Sequence, residues 1–149
     1  MHFGILLGLA FNQFVHELHE HLEDRGFTRL KPTFGYALKV LAAERMTTSA
    51  LAAKLQVTPQ GAAKTVEEMV AAGYVERVAD PGDARVKLLV LTERARDLLA
   101  AGYEFHRAFE GELAAELGDE SVAAVRKVLT AIVERSDSPD GLARTLRRL

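Results

Sequence analysis

Apolar positions between Thr47 and Thr92 follow first the spacing of helices and then that of β-strands. In two short segments an apolar residue returns every three or four positions, at Leu51, Ala52 and Leu55 and then at Ala62, Val66, Met69 and Val70. Two later runs, residues 74–78 and 86–91, are rich in β-branched and apolar residues with interleaved charges, as paired strands usually are. The pattern predicts two short helices and then a hairpin, the order of a helix-turn-helix with a wing.

The residues at the ends of these elements support the assignment. Thr58 can cap the second helix, and Pro59 suits its first position, where a missing N–H costs no hydrogen bond. Gly73 ends this helix, and the Asp-Pro-Gly-Asp run at residues 80–83 favours a tight turn between the strands. The turn between such helices commonly contains a Gly, whereas this chain has Gln56 there.

Helical spacing also predicts the flanking segments. One helix covers residues 4–24 and another runs from Pro32-Thr33 to about residue 44. Thr92 caps a helix over residues 93–117, which at 1.5 Å per residue spans about 37 Å. Gly118 interrupts it, and Asp119 is expected to cap a further helix to about residue 135. Residues 136–141 are predicted to form a loop, and residues 142–149 either one or two turns of basic amphipathic helix or a frayed end.

The outer helices have more apolar surface than one chain of this size can cover. The first half of the helix at 4–24 is apolar nearly all round, which is typical of a buried helix. A two-fold dimer would cover such surfaces. We therefore expect a single domain over residues 1–149, with a DNA-binding region at 33–92 and dimerisation helices at 1–24 and 93–149.

The central segments also resemble a known family. The runs GYVER, DPGDAR and VLTE at residues 73–77, 80–85 and 90–93 resemble the wing of MarR-family winged helix-turn-helix regulators, with Asp83 and Arg85 matching its D-x-R motif. The run LAAKLQVTPQGAAKTVEEM is similar to that family's helix-turn-recognition helix. The resemblance implies a mainly α fold with a small β-hairpin wing. It also implies a homodimer held by its terminal helices, and two recognition helices predict a near-palindromic DNA site.

The second helix of the pair contains the predicted base-reading residues. Recognition helices use their first turns on base edges in the major groove. Gln60 suits adenine, and Lys64 suits guanine or a phosphate. The candidate contacts are Thr58, Gln60, Gly61, Ala63 and Lys64. The alternative is an ordinary solvated helix face, which Glu67 and Glu68 favour because they would repel phosphates.

The wing contains a second set of candidate contacts. In similar proteins the wing Arg, here Arg85, enters the minor groove, whose negative potential attracts a guanidinium, while Asp83 braces the turn. Arg77 and Lys87 are expected to contact phosphates, which position a protein on DNA without specifying sequence. The alternative is a surface ion pair of Asp83 with Arg85 or Arg77, which adds little stability.

Charge and composition narrow the functional classes. The chain has a net charge of −2, whereas residues 45–97 contain eight Lys or Arg and seven Asp or Glu, which gives +1. This is not a basic patch, so we expect modest, salt-dependent non-specific DNA affinity. The absence of cysteine excludes disulfides, thiolate zinc sites and cysteine oxidant sensors. The sequence has no apolar run long enough to span a membrane, so we expect a cytoplasmic protein without a membrane partner.

Aromatic residues and histidines suggest a ligand site. The resemblance implies that a small aromatic effector binds between the dimer helices and the winged unit. The residues that could line such a cleft are Phe11, His16, Phe34, Tyr36, Tyr103 and His106. The alternative is that these are ordinary core aromatics.

A histidine-rich stretch in the first helix raises a metal hypothesis. On a helix, His16, His19, Glu20 and Glu23 lie along one side and could bind zinc or nickel together with His106. The metalloprotease motif needs His four residues after the first His, and Glu20 occupies that position. A solvated polar face is the favoured interpretation, and no metal cofactor is expected.

The leading interpretation is a DNA-binding transcriptional regulator, most simply a repressor released by a small molecule. A metal-responsive regulator on the same scaffold is the first alternative. A winged-helix protein-interaction module is the second, because the acidic balance suits it. An enzyme is not expected, because the sequence has no phosphate-binding Gly loop, nucleophile elbow or paired-carboxylate motif.

Overall fold

The computed structural model describes residues 1–135. The loop and short helix predicted at 136–141 and 142–149 therefore lie outside the described residues. The elements in chain order are α1 (Phe3–Asp24), α2 (Phe34–Ala43), α3 (Thr48–Leu55), α4 (Pro59–Ala71), β1 (Val75–Ala79), β2 (Lys87–Leu91), α5 (Glu93–Leu117) and α6 (Asp119–Val133). The chain is thus mainly helical with one small hairpin, and α3 and α4 form the predicted helix-turn-helix.

Local chemistry accounts for the ends of α3 and α4. The Thr47 hydroxyl accepts a hydrogen bond from the Ala50 amide at 3.2 Å, and Thr58 does the same for the Gly61 amide at 3.1 Å. Gln56 joins the helices with a φ of 52° and a ψ of 41°, the left-handed conformation that Gly usually supplies. The predicted turn between the two helices is therefore present although it lacks the usual Gly, because Gln56 adopts the left-handed conformation in its place.

The hairpin is antiparallel, and its register sets which side chains share a face. Val75 pairs with Leu91, Arg77 with Leu89 and Ala79 with Lys87. Side chains opposite each other in an antiparallel pair lie on the same face, and every second residue returns to it. These six residues therefore form one face, of which Val75, Leu89 and Leu91 are buried. The other three residues of this face, Arg77, Ala79 and Lys87, extend beyond the core and are exposed.

The core lies beneath the winged helix-turn-helix. Its largest fully buried side chains are Phe34, Leu38, Leu51, Val66, Met69, Tyr74, Val75 and Leu89. From the outer helices, α1 contributes Leu22, and α5 contributes residues at three- and four-residue steps, including Ala95, Leu98 and Phe105. The first half of α5 thus packs on the winged unit.

The outer halves of the terminal helices remain exposed within one chain. None of the residues of α6 is buried, and α1 has its first half exposed, with Phe3 at 59% and Leu9 at 51%. Within residues 1–135, the burial expected for this part of α1 is therefore not supplied. Within residues 1–135, no helix combines the length and apolar character needed to cross a membrane. The prediction that Asp119 caps α6 is wrong, because Gly118 is the N-cap and no side chain caps that end.

The segment after α1 holds the C-terminal end of α4. The Tyr74 hydroxyl, just beyond α4, donates to the Thr28 carbonyl at 2.8 Å. Arg29 donates to the Ala71 carbonyl at 2.9 Å. Burial raises the pKa of Tyr74, which keeps its phenol protonated as a donor. The position of α4 is thus tied to the segment that leads out of α1.

Replacing Tyr74 by Phe should lower the free energy of unfolding by about 1 kcal/mol, because one buried hydrogen bond is lost while the ring is kept. Denaturant unfolding at fixed protein concentration measures this change. Tyr103→Phe is the matched control, because Tyr103 is 66% exposed. Equal stability of Tyr74→Phe and the parent protein would show that this bond does not stabilise the fold.

Candidate nucleic-acid interface

The start of α4 presents its polar residues to solvent. Ala62, Val66 and Met69 are buried, which turns the opposite side of the helix outward. All five predicted contacts on this helix are exposed, namely Thr58, Gln60, Gly61, Ala63 and Lys64. The structure therefore brings them together on one accessible face, as the helical spacing predicted.

Two of these residues also have a local structural role. The Thr58 hydroxyl oxygen caps α4 through the Gly61 amide. A Cβ added at Gly61 would lie 3.1 Å from this oxygen, which is closer than most such contacts. Gly61 is therefore small partly because the cap needs the space, a reason that spacing alone did not reveal.

The wing tip is held by its own aspartates. Asp80 accepts a hydrogen bond from the Gly82 amide at 2.7 Å. Asp83 accepts from the Arg85 amide at 3.0 Å and from the Arg85 guanidinium at 3.1 and 3.3 Å. The Arg85 hydrogen bonds lower the pKa of Asp83, so it is ionised at neutral pH. The Arg85 side chain is 91% exposed, which leaves it accessible from outside.

Arg77 has a different partner from the one that the sequence suggested. Its guanidinium lies 2.5 Å from the carboxylate of Glu67 on α4, and Asp83 pairs with Arg85 alone. Sequence reasoning missed this pair because its members are ten residues apart in different elements. Lys64 and Lys87 form no ion pair within the described part of the chain.

Comparison with known proteins identifies the region. Residues 30–86 match the model of the MarR family. The winged-helix region of this chain is therefore similar to the MarR family. Members of this family are transcriptional regulators, not enzymes. Among curated protein sequences, none matches this chain.

Several solved structures share the fold over most of their length. RV1404 from Mycobacterium tuberculosis has a TM-score of 0.75 at 22% identity, covering 91% of this chain and 92% of that one. A mutant MarR from E. coli complexed with operator DNA has a TM-score of 0.64 at 21% identity, covering 87% and 92%. An S. aureus MepR mutant bound to an oligodeoxyribonucleotide has a TM-score of 0.65 at 20% identity, covering 91% and 98%. These likenesses establish the MarR fold for this chain.

The residues expected to line a MarR-like ligand cleft differ in how far they are buried within one chain. Phe34 is buried and packs edge-on against Tyr74, with ring centroids 6.3 Å apart. Tyr36 is half-buried against the core, whereas Phe11, His16 and Tyr103 are exposed. A hollow of about 460 Å³ lies at the end of α2 and is lined by residues 41–45, Val90, Leu91, Arg96 and Leu99. None of the six candidate residues lines it.

His106 belongs to an aromatic cluster between α1 and α5. Its ring centroid is 5.1 Å from that of Phe14, which also contacts Phe105 and Phe109. Burial, with a smaller contribution from the positive charge of Lys39, lowers the pKa of His106. The lowered pKa favours the neutral imidazole at neutral pH. His106 as a whole is nevertheless exposed, so only one side of its ring packs against the cluster.

The metal candidates do not form a ligand set. The Nε2 atom of His16 lies 3.5 Å from the carboxylate of Glu20, which is one turn further along the same helix. Within residues 1–135, no group of three or more His, Asp or Glu side chains is arranged to hold a metal ion. The set His16, His19, Glu20, Glu23 and His106, considered from helical spacing, is therefore not assembled by the fold.

Proposed function

We propose that this protein is a homodimeric repressor that binds a near-palindromic DNA operator and leaves it when a small molecule binds. The observation that carries the proposal is the exposed polar face at the start of α4, beside a wing with an exposed Arg at its tip. A recognition helix needs such an accessible polar face, because its first turns enter the major groove.

The geometry supports a division of roles among the side chains. Gln60 has the chemistry to read an adenine edge, and Lys64 can contact guanine or, as assigned here, a phosphate beside it. The small Gly61 and Ala63 permit close approach of α4 to the groove. Arg85 is the candidate for the minor groove, with Asp83 orienting its guanidinium. The candidates for phosphate contacts, which position without reading sequence, are Arg77, Lys87 and the exposed end of Thr58.

Exposed apolar surface supports the homodimer. Within one chain, Ile5, Leu6, Val125 and Leu129 are all more than two-fifths exposed, on helices that lie outside the winged unit. Several large apolar side chains exposed on the same helices are typical of an interface. A second copy of the chain would bring a second α4, which with half-sites roughly one duplex turn apart gives a near-palindromic operator.

Release by a small molecule is the third part of the proposal. A structure with the same fold, at TM-score 0.59 and 18% identity, is that of the heme sensor protein PefR in complex with heme and carbon monoxide. For this chain, a ligand can act only if its affinity differs between the DNA-bound and free arrangements. The link between the segment after α1 and the end of α4 offers a route for such a difference.

The proposal is tested by selecting duplexes from a random pool with the full-length protein and then footprinting the selected sequence. We expect a protected site with two inverted halves and competition by random duplex only at much higher concentration. Selection that recovers no preferred sequence would favour the alternative of a protein-interaction module.

Gln60→Ala and Lys64→Gln should change DNA binding in different ways. Loss of a bidentate base contact at Gln60 should remove about 1–3 kcal/mol of discrimination at one base pair in each half-site. Loss of a phosphate contact at Lys64 should instead weaken binding to all sequences and reduce the salt dependence. Competition binding against single-base operator variants distinguishes the two, and unchanged discrimination in Gln60→Ala would remove it from the base-reading set.

A further inference from the structure

One ion pair joins the recognition helix to the wing in the free protein. Glu67 on α4 and Arg77 on β1 lie 2.5 Å apart. Among the ion pairs of residues 1–135, this pair alone links α4 to the hairpin. The Glu67 side chain is 70% exposed and the Arg77 side chain is 34% exposed, so the carboxylate lies at the surface with the guanidinium partly accessible beside it.

Both members of the pair lie on surfaces assigned to DNA. Gln60, Lys64 and Glu67 are four and three residues apart, which places them along one side of α4. Arg77 shares its hairpin face with Lys87, at the part of that face that extends beyond the core. The pair therefore occupies the angle between recognition helix and wing, where the proposed function places the DNA backbone.

The pair opposes DNA binding in two ways. The Glu67 carboxylate neutralises a guanidinium that is otherwise suited to a phosphate. Once that guanidinium moves to a phosphate, the carboxylate remains unpaired beside a polyanion. Exposed ion pairs are weak, so a well-placed phosphate can displace Glu67 when other contacts hold the DNA close. Random duplex lacks the base contacts that would hold it there.

We infer that Glu67 is a specificity-determining residue that occupies Arg77 in place of a DNA phosphate. In the operator complex Arg77 exchanges Glu67 for a phosphate, whereas on random duplex it stays with Glu67. Unpaired charge is a common means of rejecting wrong partners. This inference rests on the proposed DNA-binding function and adds a residue that disfavours non-specific DNA.

The test measures how affinity depends on salt for Glu67→Gln, Arg77→Gln and the double variant, on the selected operator and on random duplex of equal length. The slope of log affinity against log salt counts neutralised phosphates, at about 0.9 per contact. Arg77→Gln should lower the operator slope by about 1 and leave the random-duplex slope unchanged. Arg77→Lys, which keeps the cation, should restore most of the operator slope.

Glu67→Gln should change the salt slope on random duplex rather than the slope on the operator. Freed Arg77 should raise the random-duplex slope by about 1 and reduce the ratio of operator to random affinity by roughly five- to tenfold. In the double variant the random-duplex slope should return to the parent value, because no guanidinium remains to be freed. Glu76→Gln is the charge-matched control, since Glu76 is an exposed neighbour on the other face of β1.

Three results would overturn the inference. Arg77→Gln could lower both slopes equally, Glu67→Gln could raise the random-duplex slope even without Arg77, or Glu76→Gln could match Glu67→Gln. Each would mean that Glu67 acts only through net charge or that Arg77 contacts phosphate on any DNA. If the parent protein prefers no duplex over another, the proposed DNA-binding function itself is refuted. That result differs from the three above, which refute only the role of Glu67. Thermal unfolding of each variant confirms that the fold is retained.

Discussion

The Leu129→Lys variant should sediment as a single chain and bind the operator at least about 100-fold more weakly than the parent protein. Linking two DNA-binding units raises apparent affinity by about 10²- to 10⁴-fold through effective concentration. Leu129 lies on the apolar stripe of α6, together with Val125, Ile132 and Val133, and is 41% exposed within one chain. A Lys placed in a dimer interface there would lose its hydration without an obvious partner.

Ala131→Lys is the matched control for this variant. Ala131 lies on the opposite side of α6 from the apolar stripe and is exposed, so the same charge is added outside the expected interface. Analytical ultracentrifugation and gel-shift titration should find it dimeric and close to the parent in affinity. A dimeric, fully active Leu129→Lys protein would exclude α6 from the dimer interface. A parent protein that is folded as a monomer would exclude DNA binding by two paired recognition helices.

Arg85→Ala should lower operator affinity at least about tenfold with an unchanged melting temperature, because a minor-groove guanidinium contributes binding without supporting the fold. The only described partner of Arg85 is Asp83, two residues away, and both groups are at the surface. Their ion pair therefore contributes little to stability. Fluorescence anisotropy with labelled operator measures affinity, and thermal unfolding measures stability.

Arg107→Ala serves as the control for net charge, because Arg107 is exposed on α5 and lies outside the proposed interface. It should change operator affinity much less than Arg85→Ala at the same salt concentration. If the two variants weaken binding equally, the effect belongs to general electrostatics. If Arg85→Ala binds like the parent, the wing tip does not contact DNA in the way proposed.

The elements of this fold could be predicted from local sequence to within one or two residues. Thr58 and Pro59 start α4, and Gly73 with a φ of 82° follows its end. These signals work because caps, proline and left-handed turns depend on atoms only a few residues apart. The exposed Gln60–Lys64 face follows from the same periodicity. The errors were also local, such as the cap at Asp119, where the left-handed Gly118 takes that place.

Contacts between distant segments were decided only by tertiary structure. Spacing could not show that Arg77 reaches Glu67 or that the histidines of α1 and α5 do not assemble around a metal. Each depends on strand register and on how helices rotate against one another as the core closes. The sequence determined which elements form and which faces are polar. The packing of those elements determined which charges meet, because a shift of one residue in register would turn Arg77 to the other face of the hairpin.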